Sequence, residues 1–161
     1  MRSLSAVETV TAIAVAGSVL AVTIPAFVTN LRASRLAEPI DALKHISLQA
    51  TLSAVGHPVS LAYPPSVGLT PARVPANQRI LDAPGTWDVP TWRRLDFRIQ
   101  GPHSFAYAFD SELRKARSSF TVRAHGDLDG DGVLSTFEIS GESRESEEPQ
   151  IGELRVYREV E

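Results

Sequence analysis

The sequence predicts an α+β protein in which one long N-terminal helix packs on a roughly four-stranded antiparallel sheet. Three observations lead there. Over residues 4–55 the apolar side chains first fill an uncharged run and then recur every three or four positions. Over residues 94–161 they alternate with polar ones, and a twelve-residue acidic loop, 127–138, interrupts that alternation. A helix laid across one face of a meander buries the apolar side of both. The chain has 161 residues, and setting the apolar run aside leaves about 130, an ordinary size for one domain.

Residues 4–31 are the first element. From Thr9 to Leu31 there are 23 residues without a charge, bounded by Glu8 and Arg32. As a helix rising about 1.5 Å per residue the run is about 34 Å long, enough to cross a hydrocarbon core of about 30 Å. Alanine, valine and threonine dominate it, and small side chains favour close helix–helix approach over facing lipid alone. Glu8 sits at its edge, where a carboxylate is costly unless paired, and an α-amino group is the natural partner. Gly17 and Pro25 each weaken the helix from within. A plain signal anchor or secretory signal peptide is the alternative. That would want a basic leader and an A-x-A-like site, whereas only Arg2 is basic and no such site follows Pro25.

Residues 32–55 continue the helical pattern through Leu36, Ile40, Leu43, Ile46 and Leu52. Glu38-Pro39 interrupts it, so a kink or break is expected there, and Gly56 stops it. Residues 56–93 hold seven of the eleven prolines and keep no period. They read as a long loop pinned by Tyr63, Leu81, Trp87 and Trp92, serving either as a functional surface or as a solvated, poorly ordered one. From Arg94 the period becomes two. Leu95, Phe97 and Ile99 form one alternating run, Phe105, Tyr107 and Phe109 the next, Phe120, Val122 and Ala124 a third, and Leu154 and Val156 the last. Turns at Gly101-Pro102 and Glu112–Arg117 separate the first three, which makes an antiparallel meander. Ser143–Glu148, ahead of Pro149, reads as a solvated loop.

Residues 127–138, DLDGDGVLSTFE, fit the calcium-loop pattern D-x-[DN]-x-[DN]-G-x5-E at every position. Asp127, Asp129 and Asp131 supply oxygens at alternate positions and Gly132 permits the sharp turn. Val133 offers its backbone carbonyl, Ser135 can hold a water, and Glu138 can close the shell with two oxygens. Four carboxylates in twelve residues repel one another without a cation, although an acidic turn is the plainer alternative. Calcium suits the loop better than magnesium, which wants a tighter octahedron. Strand alternation before the loop and Gly141 soon after it argue against a helix–loop–helix hand. The loop is expected to join two sheet elements and to hold a structural ion.

Other chemistry is hard to find. His45, His57, His103 and His125 are scattered, with no H-E-x-x-H and no G-x-S-x-G, so no enzyme is expected. The net charge of −3 shows no basic excess for nucleic acid. Residues 1–125 carry 13 Lys/Arg against 8 Asp/Glu and residues 126–161 carry 3 against 11, net +5 and −8. An electrostatic seam or a solvated acidic tail would each account for this. There is no cysteine to lock the loops of an exported head.

The spacing of Glu8, Gly17, Pro25 and Phe27, counted from Leu4, resembles the N-terminal segment of type IV pilins and type II secretion pseudopilins. The resemblance covers residues 4–31, with Ser3 where the family has glycine and Leu4 where it usually has phenylalanine. It implies a pilin-like head over residues 32–161, a leader Met1-Arg2-Ser3, and cleavage between Ser3 and Leu4 by a prepilin peptidase, followed by methylation. It implies a single pass of the inner membrane with Arg2 on the cytoplasmic side. Assembly machinery would then extract the subunit into a helical filament of like subunits or other pilins. Glu8 would pair with the amine of a neighbouring Leu4, and Gly17 and Pro25 would bracket a loosened stretch. The acidic loop looks like the calcium sites of pseudopilins and pilin-like proteins that lack a C-terminal disulfide. The expected function is thus a subunit of an extracellular type IV pilus-like filament. A periplasmic pseudopilus piston and a non-polymerising, membrane-anchored calcium-binding domain are the alternatives.

Overall fold

A computed structural model describes residues 36–157 together with the isolated positions Val7, Ala14, Ser18 and Ala21. The chain divides into two compact units, Met1–Ala37 and Glu38–Glu161. In the first, the isolated positions have helical backbone, and Ser18 Oγ donates to the Ala14 carbonyl at 2.9 Å. Ser3, Leu4, Glu8, Gly17, Pro25 and Phe27 lie outside the described residues.

Helix α1 covers residues 36–54. Its buried face is Pro39, Leu43, Ile46, Ser47, Ala50 and Ala54, spaced by the three and four residues that keep one side of a helix inward. The expected break at Glu38-Pro39 is not there: helical backbone runs through it. Pro39 is fully buried, so packing offsets its missing donor, and the Glu38 carboxylate is occupied elsewhere, accepting the Ser104 N–H at 2.9 Å. Leu52, expected in the core, points outward with Leu48 and Val55.

The sheet is antiparallel and has six strands: β1 (Val67–Thr70), β2 (Phe105–Arg114), β3 (Arg117–Gly126), β4 (Ser135–Arg144), β5 (Gln150–Ile151) and β6 (Arg155–Tyr157). They pair in chain order from β1 to β5, and β6 pairs with β4 beside β5. The three ten-residue strands β2, β3 and β4 are the frame. β3 shows the alternation that one buried face dictates, with Ser118, Phe120, Val122 and Ala124 inward. Gly126 and Gly141 belong to this packing. A β-carbon at Gly126 would come within 2.5 Å of the Phe105 ring, and one at Gly141 within 2.4 Å of the Phe120 ring. Each glycine is the cross-strand partner of that aromatic.

Two expectations are corrected here. The pilin-like description, a long N-terminal helix on about four strands, does not hold. Among the described residues one helix exceeds seven residues, 36–54, and the sheet has six strands. The inner-membrane single pass is likewise not supported, because no described helix is long and apolar enough to cross a membrane. The run that expectation rests on, 4–31, lies outside the described residues apart from Val7, Ala14, Ser18 and Ala21. Helix α1, the long helix that is described, carries Glu38, Asp41, Lys44 and His45 and buries only one face.

The proline-rich stretch is ordered. It contains a short 3-10 turn (Val59–Leu61), strand β1 and the five-residue helix α2 (Pro90–Arg94), and isolated bridges tie Ala76 to Asp127 and Ile80 to His103. Tyr63, Trp87 and Trp92 are buried as expected, whereas Leu81 is exposed. Trp92 Nε1 donates to Thr70 Oγ1 at 2.9 Å, and Trp87 meets Phe97 edge-on at 5.3 Å and Tyr107 at 6.1 Å. The run Leu95–Ile99, expected as the first strand, is not one. Leu95 and Phe97 are buried and their neighbours exposed, but Asp96 has φ of 47° and the run pairs with no strand. Burial pushes the Tyr63 hydroxyl up to about 12, with Glu142 nearby adding to it, and pushes Tyr107 higher still, helped by Glu38.

Candidate metal centre

The acidic loop joins β3 to β4, as its flanking alternation predicts. Gly126 and Ser135 are the last cross-strand pair before it. Within the loop each aspartate caps the turn that follows. Asp127 Oδ1 accepts the Gly130 N–H at 2.8 Å and Oδ2 the Gly132 N–H at 3.2 Å. Asp129 Oδ1 accepts from Asp131 at 3.2 Å, and Asp131 Oδ1 from Val133 at 2.6 Å. Gly130 and Gly132 have φ of 83° and 84°, a left-handed conformation that side-chain-bearing residues resist. This curl draws one oxygen of each of Asp127, Asp129 and Asp131 to within 4.8 Å of one another. Asp127 is 5% exposed and the other two face solvent.

Three carboxylates so close, with no ion pair to any of them among the described residues, form a site that a metal ion could hold together. They offer only oxygen donors, the donor set of a hard cation.

The remaining loop positions are arranged differently. Val133 is exposed and Ser135 is buried at the start of β4. Glu138 does not join the cluster. Cross-strand register sets it between Arg123 of β3 and Arg155 of β6, and its Oε2 lies 2.8 Å from Arg123 Nε. Arg123 also holds Asp110 of β2 at 2.6 Å, so an acid–base–acid row runs across the outer face of the sheet. His125 sits in β3, its Nδ1 2.9 Å from Thr136 Oγ1, and does not enter the loop. Burial, then the neighbouring Arg123, hold its ionisation below the usual histidine range, with Glu138 opposing.

Sequence reasoning missed Asn77. Its N–H donates to the Asp127 carbonyl at 2.7 Å, and its β-carbon lies 3.0 Å from where a β-carbon on Gly130 would stand. The proline-rich stretch therefore buttresses the acidic loop. Asn77 itself has φ of 49°, a conformation asparagine tolerates better than most residues, and that is the one local signal that could have marked it.

No protein-family model matches the chain, and neither a curated protein nor a solved structure matches it.

Proposed function

We propose that this chain is a structural subunit of a type IV pilus-like filament, assembling through its uncharged N-terminal run and carrying a head stiffened by calcium. The observation that carries the head's part is the convergence of the Asp127, Asp129 and Asp131 oxygens within 4.8 Å. The sequence spacing of Glu8, Gly17, Pro25 and Phe27 supports the assembly part. In that reading Glu8 neutralises the terminal amine of a neighbouring subunit, removing two charges that an apolar filament core would penalise. The outward stripe of Leu48 and Leu52 on α1 and of Val55 just after it also agrees with a face that other subunits cover. Processing between Ser3 and Leu4 by a prepilin peptidase belongs to the same proposal. The chain is given no catalytic role.

The pseudopilus reading is favoured by the metal loop in a chain without cysteine. A non-polymerising calcium-binding domain is favoured by the compactness of residues 38–161 as a unit. Shearing native cells separates them. The pilus reading expects this protein in the sheared extracellular filaments, with Glu8→Ala abolishing or badly impairing its assembly. Recovery only in the cell envelope, with assembly dependent on Glu8, would move the assignment to a pseudopilus. Absence of any polymer, in wild type and variant alike, would leave the calcium-binding domain.

A further inference from the structure

Leu81 is the most exposed large hydrophobic side chain among the described residues of the head, at 68%. Arg79 lies two residues before it, and Arg98 and Ile99 line the same open rim. Ile80, between Arg79 and Leu81, exchanges both backbone hydrogen bonds with His103, at 2.9 and 3.0 Å, just ahead of β2. The charges of this tip are under-used. Arg79 is 65% exposed and has Glu38 as its carboxylate, at 3.8 Å. Arg98 makes no ion pair among the described residues and reaches the Gln100 amide oxygen at 3.0 and 3.1 Å. Asp88 is held by Arg93 at 3.1 Å, and Asp82 by the Trp87 indole N–H at 2.7 Å. Asp96 is the exposed carboxylate left on the rim, one anion against two cations.

The complement lies elsewhere on the head. An open groove of about 560 Å³ has Val55, Pro58 and Val59 on one wall and Glu145, Glu147 and Glu148 on the other. Arg144 is shared by Glu142 at 2.7 Å and Glu147 at 3.6 Å. Glu145 and Glu148 are exposed and make no ion pair among the described residues. The C-terminal end of α1, the negative pole of a helix, forms part of the same wall through Thr51 and Ala54. The groove is therefore apolar within and acidic at its rim, and it has ample room for a leucine side chain.

Register sets tip and groove at opposite ends of the sheet. His103 precedes Phe105, whose partner is Gly126, the last residue of β3, whereas Arg144 pairs with Arg117, the first. Ten residues at about 3.3 Å each separate those ends by about 30 Å. One copy cannot seat its own Leu81 in its own groove. A second copy can, and each such pair leaves one tip and one groove free, so the contact repeats without closing. The excess of cations in residues 1–125 and of anions in 126–161 has the same sense.

We infer that Leu81 of one copy seats in the groove between α1 and the 144–149 turn of the next, with Arg79 and Arg98 set against Glu145 and Glu148. Burial of the leucine provides attraction, and the opposed charges fix which end faces which. The contact rests on the filament reading and names the surface through which successive heads meet.

The chain has no cysteine, so introduced thiols report without background from the protein itself. Full-length Leu81→Cys/Val55→Cys is produced in native cells and treated with a short bis-maleimide, beside each single variant. Both positions are exposed, so neither change disturbs the core. The double variant is expected to give a ladder of dimers, trimers and longer multimers, while each single variant stays monomeric. Arg98→Glu in the double-cysteine chain is expected to cut the ladder severalfold, and adding Glu148→Arg to restore it. Sheared filaments that contain the protein but give no ladder would overturn the contact and leave the filament standing. A ladder confined to the cell envelope would support the contact and move the assignment to a pseudopilus. Neither ladder nor polymer would overturn contact and filament together. Dimers from a single variant, or a ladder that Arg98→Glu leaves unchanged, would overturn the contact as well.

Discussion

Two carboxylates are buried in this head, and they are satisfied in opposite ways. Asp127 accepts only backbone N–H groups, from Gly130 and Gly132, and has two further aspartates drawn up beside it. Asp82 accepts an indole N–H and lies 2.8 Å from His103 Nε2. The first arrangement accumulates negative charge that a cation could balance. The second is complete within the chain. Both lean on the same proline-rich stretch, through Asn77 and Ile80 respectively.

Removing the internal partner should have the largest effect. His103→Ala strands a buried carboxylate and removes the ring that Trp87 packs against, a change that costs about 3–5 kcal/mol when a buried pair is broken. Urea unfolding of the purified protein reads it as a lower midpoint at unchanged slope. A loss under about 1 kcal/mol would mean that Asp82 is solvated by other means. The acidic loop should behave differently. At free calcium a hundredfold above its Kd, the wild-type head gains about 2.7 kcal/mol over its value in chelator. Asp129→Ala should abolish that increment while leaving stability in chelator nearly unchanged, because Asp129 is exposed and its carboxylate caps only the Asp131 N–H. Equal melting temperatures of wild type with and without calcium would refute the structural ion.

The sequence was most legible where the signal is local. Alternation located the inward face of β3, although in β2 Ala106 and Ala108 are buried along with Phe105, Tyr107 and Phe109, and the D-x-D-x-D-G spacing located the curl, because short loops and strands are dictated by their own residues. It failed where partners are distant. Leu95, Phe97 and Ile99 alternate like a strand, and the first two are indeed buried. Nothing local reveals that Phe97 packs against the rings of Trp87, Trp92 and Tyr107 and does not pair its backbone with a strand. β1 and β5 are four and two residues long, too short to carry a period, and β1 sits among prolines. Leu52 keeps helical spacing with Leu48 and Val55 on an outward side of α1, so periodicity marked a stripe without saying which face lies inward.

Glu138 is the sharpest disagreement between pattern and fold, and the smallest change that tests it is Glu138→Gln. The motif makes Glu138 the residue that closes the calcium shell with two oxygens. The fold spends the same carboxylate on Arg123, at 2.8 Å, inside a row that also contains Asp110. If the folded arrangement persists when calcium binds, the variant keeps an acceptor for Arg123 and loses only the charge of a partly buried pair, a cost of about 1 kcal/mol, and calcium affinity measured by titration calorimetry is unchanged. If the motif governs, the strand must release Glu138 from Arg123 on binding, and the variant's affinity falls by about tenfold or more, since 1.4 kcal/mol already corresponds to that factor. The folded register favours the first outcome. β4 pairs continuously with β3 from Ser135 to Arg144, so swinging Glu138 toward the loop would have to break a ladder that ten consecutive pairs hold in place.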